Sequence, residues 1–337
     1  MPDRGHTSLT SYIDMRKSII VSLTAICVMF SACERVEKLA SGFPTPPPEV
    51  VTPTKKLSDL PLKPDPELQK QIEAIAAEVK GKVGVAAVDL ETGASVSINA
   101  DQRFPMQSVY KLPIAMAVLS MIDAEKFALD EQIGFSREDM VGPAQRSPIR
   151  EKFPAGGSLT VAELIRFAVA ESDGTASDVL MRIIGGADEV QLYLTATGIK
   201  DLAVINTEKE LGSDRQAQYA NYATPNAAII LLRNLYEGNG ISAENRELLL
   251  KFLTDTSTGP KRLKGLLPAG TVVAHKTGTS GTENGITAAT NDIGIVTMPN
   301  GRHVLIAVFV SDSSADERTR ESVIARTAKA VWDRWSK

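Results

Sequence analysis

Strand-forming sequence sits at the two ends of the folded part of this chain, and helical periodicity occupies what lies between. Val83 to Leu90 is a run of small and β-branched apolar residues; Glu91-Thr92-Gly93 reads as a tight turn and Ala94 to Ile98 as the returning strand. Further strands are predicted over Thr271–His275, Ile286–Met298 and His303–Ser311, with Pro299-Asn300-Gly301 as the hairpin turn between the last two. From Ser108 to about Leu253 helical patterns dominate, interrupted by loops near Met140–Gly157 and Asn206–Thr224. A helix is predicted from Asp65-Pro66 through Lys80, with Asp65 as cap and Leu68, Ile72, Ile75 and Ala76 on one face. A last helix covers Asp316 to Trp335, with Trp332 and Trp335 expected to pack on the sheet. One sheet must therefore be built from both chain ends. That gives an α+β fold: an α/β sandwich domain over about 67–105 and 255–337, and an all-helical domain over about 106–254 inserted into it.

Composition narrows the chemistry. Hydrophobic residues make up 43% and charged residues 23%, enough for a sizeable core. A net charge of −4 gives no basis for a nucleic-acid partner. The two cysteines, Cys27 and Cys33, lie near the N-terminus, so the folded body has neither a disulfide nor a cysteine-built metal site. A zinc site or a Ser-His-Asp triad would need His275 or His303. His275 adjoins Lys276 on a predicted strand, so the two side chains point to opposite faces, and a packed strand residue is the simpler reading of His275. Gly278, Gly281 and Gly285 lack the spacing of a dinucleotide-binding loop, and no cofactor or metal is expected.

The N-terminus reads as a targeting segment over residues 1–32. Met15-Arg16-Lys17 is a basic start, and the apolar run Ser18–Ala32 is shorter than the ~20 residues a membrane span requires. Phe30-Ser31-Ala32-Cys33 resembles a bacterial lipoprotein signal, cut before Cys33 with its thiol lipidated; an ordinary signal cleaved elsewhere, or an uncleaved anchor, are the alternatives. Residues 1–14 read as an upstream extension ahead of a start at Met15. Prolines crowd the stretch from Pro44 to Pro66, so residues 33–66 are expected to be an extended tether ahead of a folded body at 67–337.

The chemistry-bearing residues come in order along the chain. Ser108-Val109-Tyr110-Lys111 places a hydroxyl and an amine three residues apart, on one face of a helix, just before the apolar stretch Leu112–Leu119. Burial there lowers a lysine's pKa and makes it a candidate base; alone, the pair also fits a solvated first turn. Ser172-Asp173-Gly174 follows the helical stretch Thr160–Ala170, and Lys276-Thr277-Gly278-Thr279 ends a strand. The ordered set Ser-x-x-Lys, Ser-Asp-x, Lys-Thr-Gly is the signature of penicillin-recognising serine enzymes. Glu208-Lys209-Glu210-Leu211 further resembles the Glu-x-x-Leu of an omega loop. The chain resembles class A serine β-lactamases over roughly residues 67–337. Gly259–Ala274, His275–Gly281 and Thr287–Gly294 are most similar to the extended-spectrum PER/VEB-type branch.

The resemblance implies roles. Ser108 is the nucleophile, Lys111 shares its proton network, Ser172 relays a proton to the lactam nitrogen, and Glu208 activates the deacylating water. Lys276, Thr277 and Thr279 bind the substrate carboxylate, and the backbone N–H groups of Ser108 and Thr279 form the oxyanion hole. Three departures stand out. Gly174 and Gly212 replace asparagines usual in the family, the first contacting substrate and the second holding the water. No arginine occurs between Thr287 and Gly294; Arg262 stands where some members supply the guanidinium, the alternative being a surface arginine beside Lys261 and Lys264. Glu210 reads as solvated loop charge and the run Asp316–Glu321 as a solvated helix start. The expected activity is β-lactam hydrolysis through a serine acyl-enzyme, conferring antibiotic resistance, by a monomer anchored through lipid on the periplasmic side of the envelope. A peptidoglycan D,D-peptidase or a non-hydrolytic penicillin sensor shares the first three motifs.

Overall fold

The computed structural model describes residues 61–337; the signal segment, Cys33 and the tether up to residue 60 lie outside the described residues. The chain enters through a short strand β1 (Lys63–Pro64), then helix α1 (Pro66–Ala76), then strands β2 (Lys82–Asp89) and β3 (Ala94–Ile98). Asp65 caps α1, accepting from the Leu68 N–H at 3.1 Å. β4 (Phe104–Pro105) leads through a 3₁₀ turn, Gln107–Tyr110, into helix α2 (Lys111–Asp123). The middle of the chain adds β5 (Gln132–Ser136), α3 (Pro148–Lys152), β6 (Gly156–Thr160), α4 (Val161–Ala170), α5 (Gly174–Ile184) and α6 (Ala187–Ala196). β7 (Leu202–Ala203), α7 (Glu208–Ser213), β8 (Tyr222–Ala223), α8 (Pro225–Glu237) and α9 (Ala243–Thr254) follow. Strands β9 (Val273–Thr279), β10 (Thr282–Glu283), β11 (Ile286–Thr297) and β12 (His303–Ser313) and helix α10 (Glu317–Trp335) close the fold.

The large sheet runs β1-β3-β2-β12-β11-β10, with β9 also paired to β11. Both ends of the chain meet at its centre, where β2 lies antiparallel to β12 with Val85 opposite Val308. Alternation along the strands splits their side chains between two buried faces. Val83, Val85 and Ala87 join Ile306, Val308 and Val310 in a core closed by Leu68 and Ile72 of α1 and by Val323, Trp332 and Trp335 of α10. Each fully buried aliphatic side chain there contributes about 1.5–3 kcal/mol. On the opposite face Phe104 stacks on Phe309 at 5.8 Å, and an added Cβ at Gly84 would come within 2.3 Å of the Phe104 ring.

Three sequence expectations shift. β1 pairs in parallel with Ala94 and Ser95 of β3, so residues 63–64, read as the end of the tether, belong to the sheet. The first helix stops at Ala76 rather than Lys80, where the chain turns into β2. The strand predicted over Thr271–His275 starts at Val273 and continues through Thr279, because β11 offers a partner along that whole length, from Val296 to Thr290. The middle of the chain, besides its helices, carries two small sheets, β5-β6 and β4-β8-β7.

Candidate active site

The site begins where β9 crosses the 3₁₀ turn. An added Cβ at Gly278 would lie 2.2 Å from the Met106 carbonyl oxygen, so only glycine lets the strand come this close. The buried Asn291 of β11 donates through Nδ2 to the carbonyls of Pro105 (2.8 Å) and Met106 (3.1 Å), fastening the turn to the sheet. Gln107 is held at φ +48°. Its amide donates to Gln218 Oε1 at 2.6 Å. Ser108 emerges half-buried from this turn, immediately ahead of α2, whose residues from Lys111 to Met121 are all buried.

A polar cluster forms under Ser108. Lys111 is wholly buried; its ammonium donates to Ser108 Oγ at 2.8 Å and pairs with Glu208 Oε2. Glu208 opens α7, a short helix started by a reciprocal cap between Thr207 and Glu210. The backbone N–H groups of Glu208 and Lys209 donate to the two oxygens of Asp178 on α5, at 2.7 and 3.1 Å. Tyr110 Oη also donates to Glu208 Oε2, at 2.6 Å. Burial works to raise the Glu208 pKa, but the Lys111 charge and the hydrogen bonds from Lys111 and Tyr110 outweigh it and hold the carboxyl below its ordinary range. Burial pushes Asp178 up to about 6, against the pull of its two backbone donors. Burial, and then the Glu208 charge, push the Tyr110 phenol well above its usual value.

Across the cleft, Ser172 is buried in the left-handed region at φ +58° and accepts from Lys276 Nζ at 2.9 Å. Asp173 holds it there: Oδ1 caps α5 through the Ala176 N–H (2.8 Å), and Oδ2 accepts the Ile149 N–H at 2.6 Å. Lys276 is fully buried, its second acceptor is the Thr277 carbonyl at 3.1 Å, and it makes no ion pair among the described residues. Burial, reinforced by repulsion from Lys111, drives its pKa well below the ordinary lysine value. The Thr277 hydroxyl lies 2.6 Å from that of Thr258, and Thr279 is exposed at the cleft edge.

Arg262 is buried behind this wall. Its guanidinium donates to Thr279 Oγ1 (2.8 Å), to the carbonyls of Gly278 (3.1 Å) and Asn291 (3.0 Å), and to Glu321 Oε1 (3.2 Å). The surface-arginine alternative therefore fails, and so does the reading of Asp316–Glu321 as wholly solvated. Glu321 is buried against Arg262, and the buried Arg320 donates to Thr290 Oγ1 at 2.9 Å. His275 Nδ1 lies 2.9 Å from both oxygens of the buried Asp292, whose Oδ2 also accepts the Leu263 N–H. The histidine thus packs inside the sheet, while Lys276 faces Ser172. Among the described residues no group of three or more His, Cys, Asp or Glu side chains is placed to hold a metal ion.

Residues 67–335 match the model of the beta-lactamase enzyme family. The chain belongs to that family. It is 40% identical over 268 residues to beta-lactamase VEB-1 of Pseudomonas aeruginosa, covering 79% of this chain and 89% of the relative. It is also 40% identical over 271 residues to the extended-spectrum beta-lactamase PER-1 of the same organism, covering 79% and 87%. Among solved structures, the TLA-3 extended-spectrum beta-lactamase superposes with a TM-score of 0.79 at 42% identity, over 81% of this chain and 99% of that one. A beta-lactamase from Chitinophaga pinensis DSM 2588 gives 0.78 at 42% identity, over 80% and 99%. The chain is a class A β-lactamase of the PER/VEB branch.

Both glycine departures of this β-lactamase have structural counterparts. An added Cβ at Gly174 would lie 2.6 Å from Glu208 Cγ, so the carboxylate side chain occupies space that a residue there would need. An added Cβ at Gly212 would strike the amide of Gln145, 1.5 Å away. With its amide turned to satisfy both neighbours, Gln145 accepts from the Gly212 N–H at 3.1 Å and donates to the Gly142 carbonyl at 3.2 Å. Sequence reasoning does not single out Tyr110, Asp178, Gln145 or Glu321 as functional. Only Tyr110 carries a signal, lying inside the Ser-x-x-Lys motif.

Proposed function

We propose that this β-lactamase hydrolyses penicillin- and cephalosporin-type lactams through an acyl-enzyme on Ser108, cleared by a water that Glu208 deprotonates. The supporting observation is the unbroken contact from Ser108 Oγ through Lys111 Nζ to Glu208 Oε2, which links nucleophile, amine and carboxylate. Ser108 Oγ attacks the lactam carbonyl and gives its proton to this network. The ring C–N bond breaks, and the departing nitrogen takes a proton through Ser172. Water then adds to the ester carbonyl, its proton passes to Glu208, and Ser108 leaves as the alcohol. The backbone N–H groups of Ser108 and Thr279 stabilise the oxyanion in both halves. Lys276 attracts the substrate carboxylate with Thr277 and Thr279, while Arg262 steadies Thr279 from behind.

Intact-mass spectrometry with a slowly cleared lactam tests the chemistry. The parent is expected to gain one acyl mass and Ser108→Ala none; turnover by Ser108→Ala overturns the assignment. A single stoichiometric nitrocefin burst without turnover by the parent would point instead to a sensor.

The same reading places the enzyme as a monomer on the periplasmic side of the cell envelope, held by lipid on Cys33 after cleavage behind Ala32. Its support is the signal pattern from Met15 to Cys33. No helix among the described residues is long and apolar enough to cross a membrane. Cys33→Ala is expected to move the protein out of the membrane fraction; unchanged membrane binding would mean that the segment is an uncleaved anchor.

A further inference from the structure

Glu208 receives its side-chain hydrogen bonds asymmetrically. Tyr110 Oη, at 2.6 Å, and Lys111 Nζ both fall on Oε2, and Oε1 takes none among the described residues. The Glu208 side chain keeps 12% of its surface open, whereas Tyr110 is fully buried and its phenol has no access to solvent. On another side the backbone of Gly174 lies against Glu208 Cγ. A carboxylate gripped at one oxygen and walled at its methylene has little freedom to turn.

We propose that Tyr110 is a positioning residue for deacylation: its phenol fixes Oε2 of Glu208 and thereby presents Oε1 as the atom that takes the proton from water. A phenol donating to a carboxylate also stabilises its ionised form, so the same bond keeps Glu208 charged at acid pH, where it would otherwise become protonated and inactive. Lys111 alone cannot do both jobs, because its ammonium also serves Ser108. The inference rests on Glu208 as the deacylation base.

Other groups around Glu208 bear on any pH profile. Lys111 faces it from α2, Asp178 holds its backbone N–H from α5, Lys276 acts on it from β9, and Lys209 and Glu210 share its helix. Asp178, pushed up to about 6, titrates in the range of interest, so Asp178→Asn is the necessary control.

Single-turnover deacylation is followed against pH in the parent, Tyr110→Phe, Glu208→Gln and Asp178→Asn. Phenylalanine keeps the ring and its burial and removes the donor. Losing a hydrogen bond to an ionised group is expected to raise the Glu208 pKa, and with it the acid limb of deacylation, by about one pH unit. Acylation at neutral pH is expected to stay within about threefold, a change of under one RT ln 10. 3-Fluorotyrosine at position 110, a more acidic phenol and stronger donor, is expected to move the limb below the parent's. That form carries the test alone if the phenylalanine variant does not fold. An acid limb unmoved in both variants, while Glu208→Gln traps the acyl-enzyme, overturns the role of Tyr110. Failure of Glu208→Gln to trap it overturns the base assignment itself, and this inference with it.

Discussion

Lys111 and Lys276 are both wholly buried in one cleft, yet the protein treats the two ammonium groups oppositely. Lys111 sits against a carboxylate, Glu208, that is itself steadied by a phenol and by the Asp178-bound helix start. Lys276 donates to a hydroxyl and a carbonyl, with no other hydrogen-bond partner among the described residues, and burial drives its pKa far down. The first ion is complete within the fold; the second has no ion-paired carboxylate among the described residues. A buried charge without a counter-ion costs stability, and it is tolerated where a ligand supplies the counter-ion. This division matches the proposed mechanism, in which the helical wall of the cleft moves protons and the sheet wall receives the carboxylate of the substrate.

Breaking the completed pair is expected to have the largest effect. Glu208→Gln keeps shape and removes basicity, so deacylation should fall by about 10²–10⁴ and the acyl-enzyme should accumulate, visible as a burst in stopped-flow. It also strips Lys111 of its counter-charge, and unfolding in denaturant should show a loss of about 3 kcal/mol. Gly174→Ala comes next. Its methyl group displaces Glu208 Cγ without touching the chemistry, and a misplacement of this kind is worth about 10²-fold in deacylation. Normal turnover in that variant would show that the carboxylate is less confined than its packing indicates.

Lys276→Met sharpens the contrast from the other wall. kcat/KM for a carboxylate-bearing lactam should fall by about 10- to 100-fold, with much less change for its methyl ester. Stability should match or exceed the parent's. The sign follows from linkage: a lysine whose pKa is lower folded than unfolded costs stability below the folded value. That cost fades as pH climbs from there towards the ordinary lysine range. The advantage of the methionine variant, followed by thermal melts across pH, should shrink over the same interval. The smallest change belongs to Glu210→Gln, which retains the reciprocal cap with Thr207; it should cost less than about 1 kcal/mol and leave turnover unaltered.

Much of this architecture is legible in the order of the amino acids alone. Ser108, Lys111, Ser172, Glu208 and Lys276 stand out because their types recur in fixed local spacings, and the strand Ala94–Ile98 follows directly from its alternation between flanking turns. What escapes depends on partners far apart in the chain. Tyr110 meets Glu208 across 98 positions and Arg262 meets Glu321 across 59, so neither partnership shows locally: the Ser-x-x-Lys motif marks the place of Tyr110 but not its bond to Glu208, and Glu321 reads as part of a solvated helix start. β1 is hidden for a similar reason: Lys63-Pro64 has no strand pattern of its own and becomes a strand only because β3 offers an open edge.

The seating of Gln145 against Gly212 bears on how the enzyme can change under selection. A side chain introduced at position 212 meets the far end of the flexible Gln145, which can swing aside by giving up its bonds to the Gly212 N–H and the Gly142 carbonyl. A shortening substitution at 145 gives up the same two bonds. The two positions are therefore coupled through one movable amide rather than through the backbone. A small side chain at 212 should cost little in the present background, and less still once 145 has shortened.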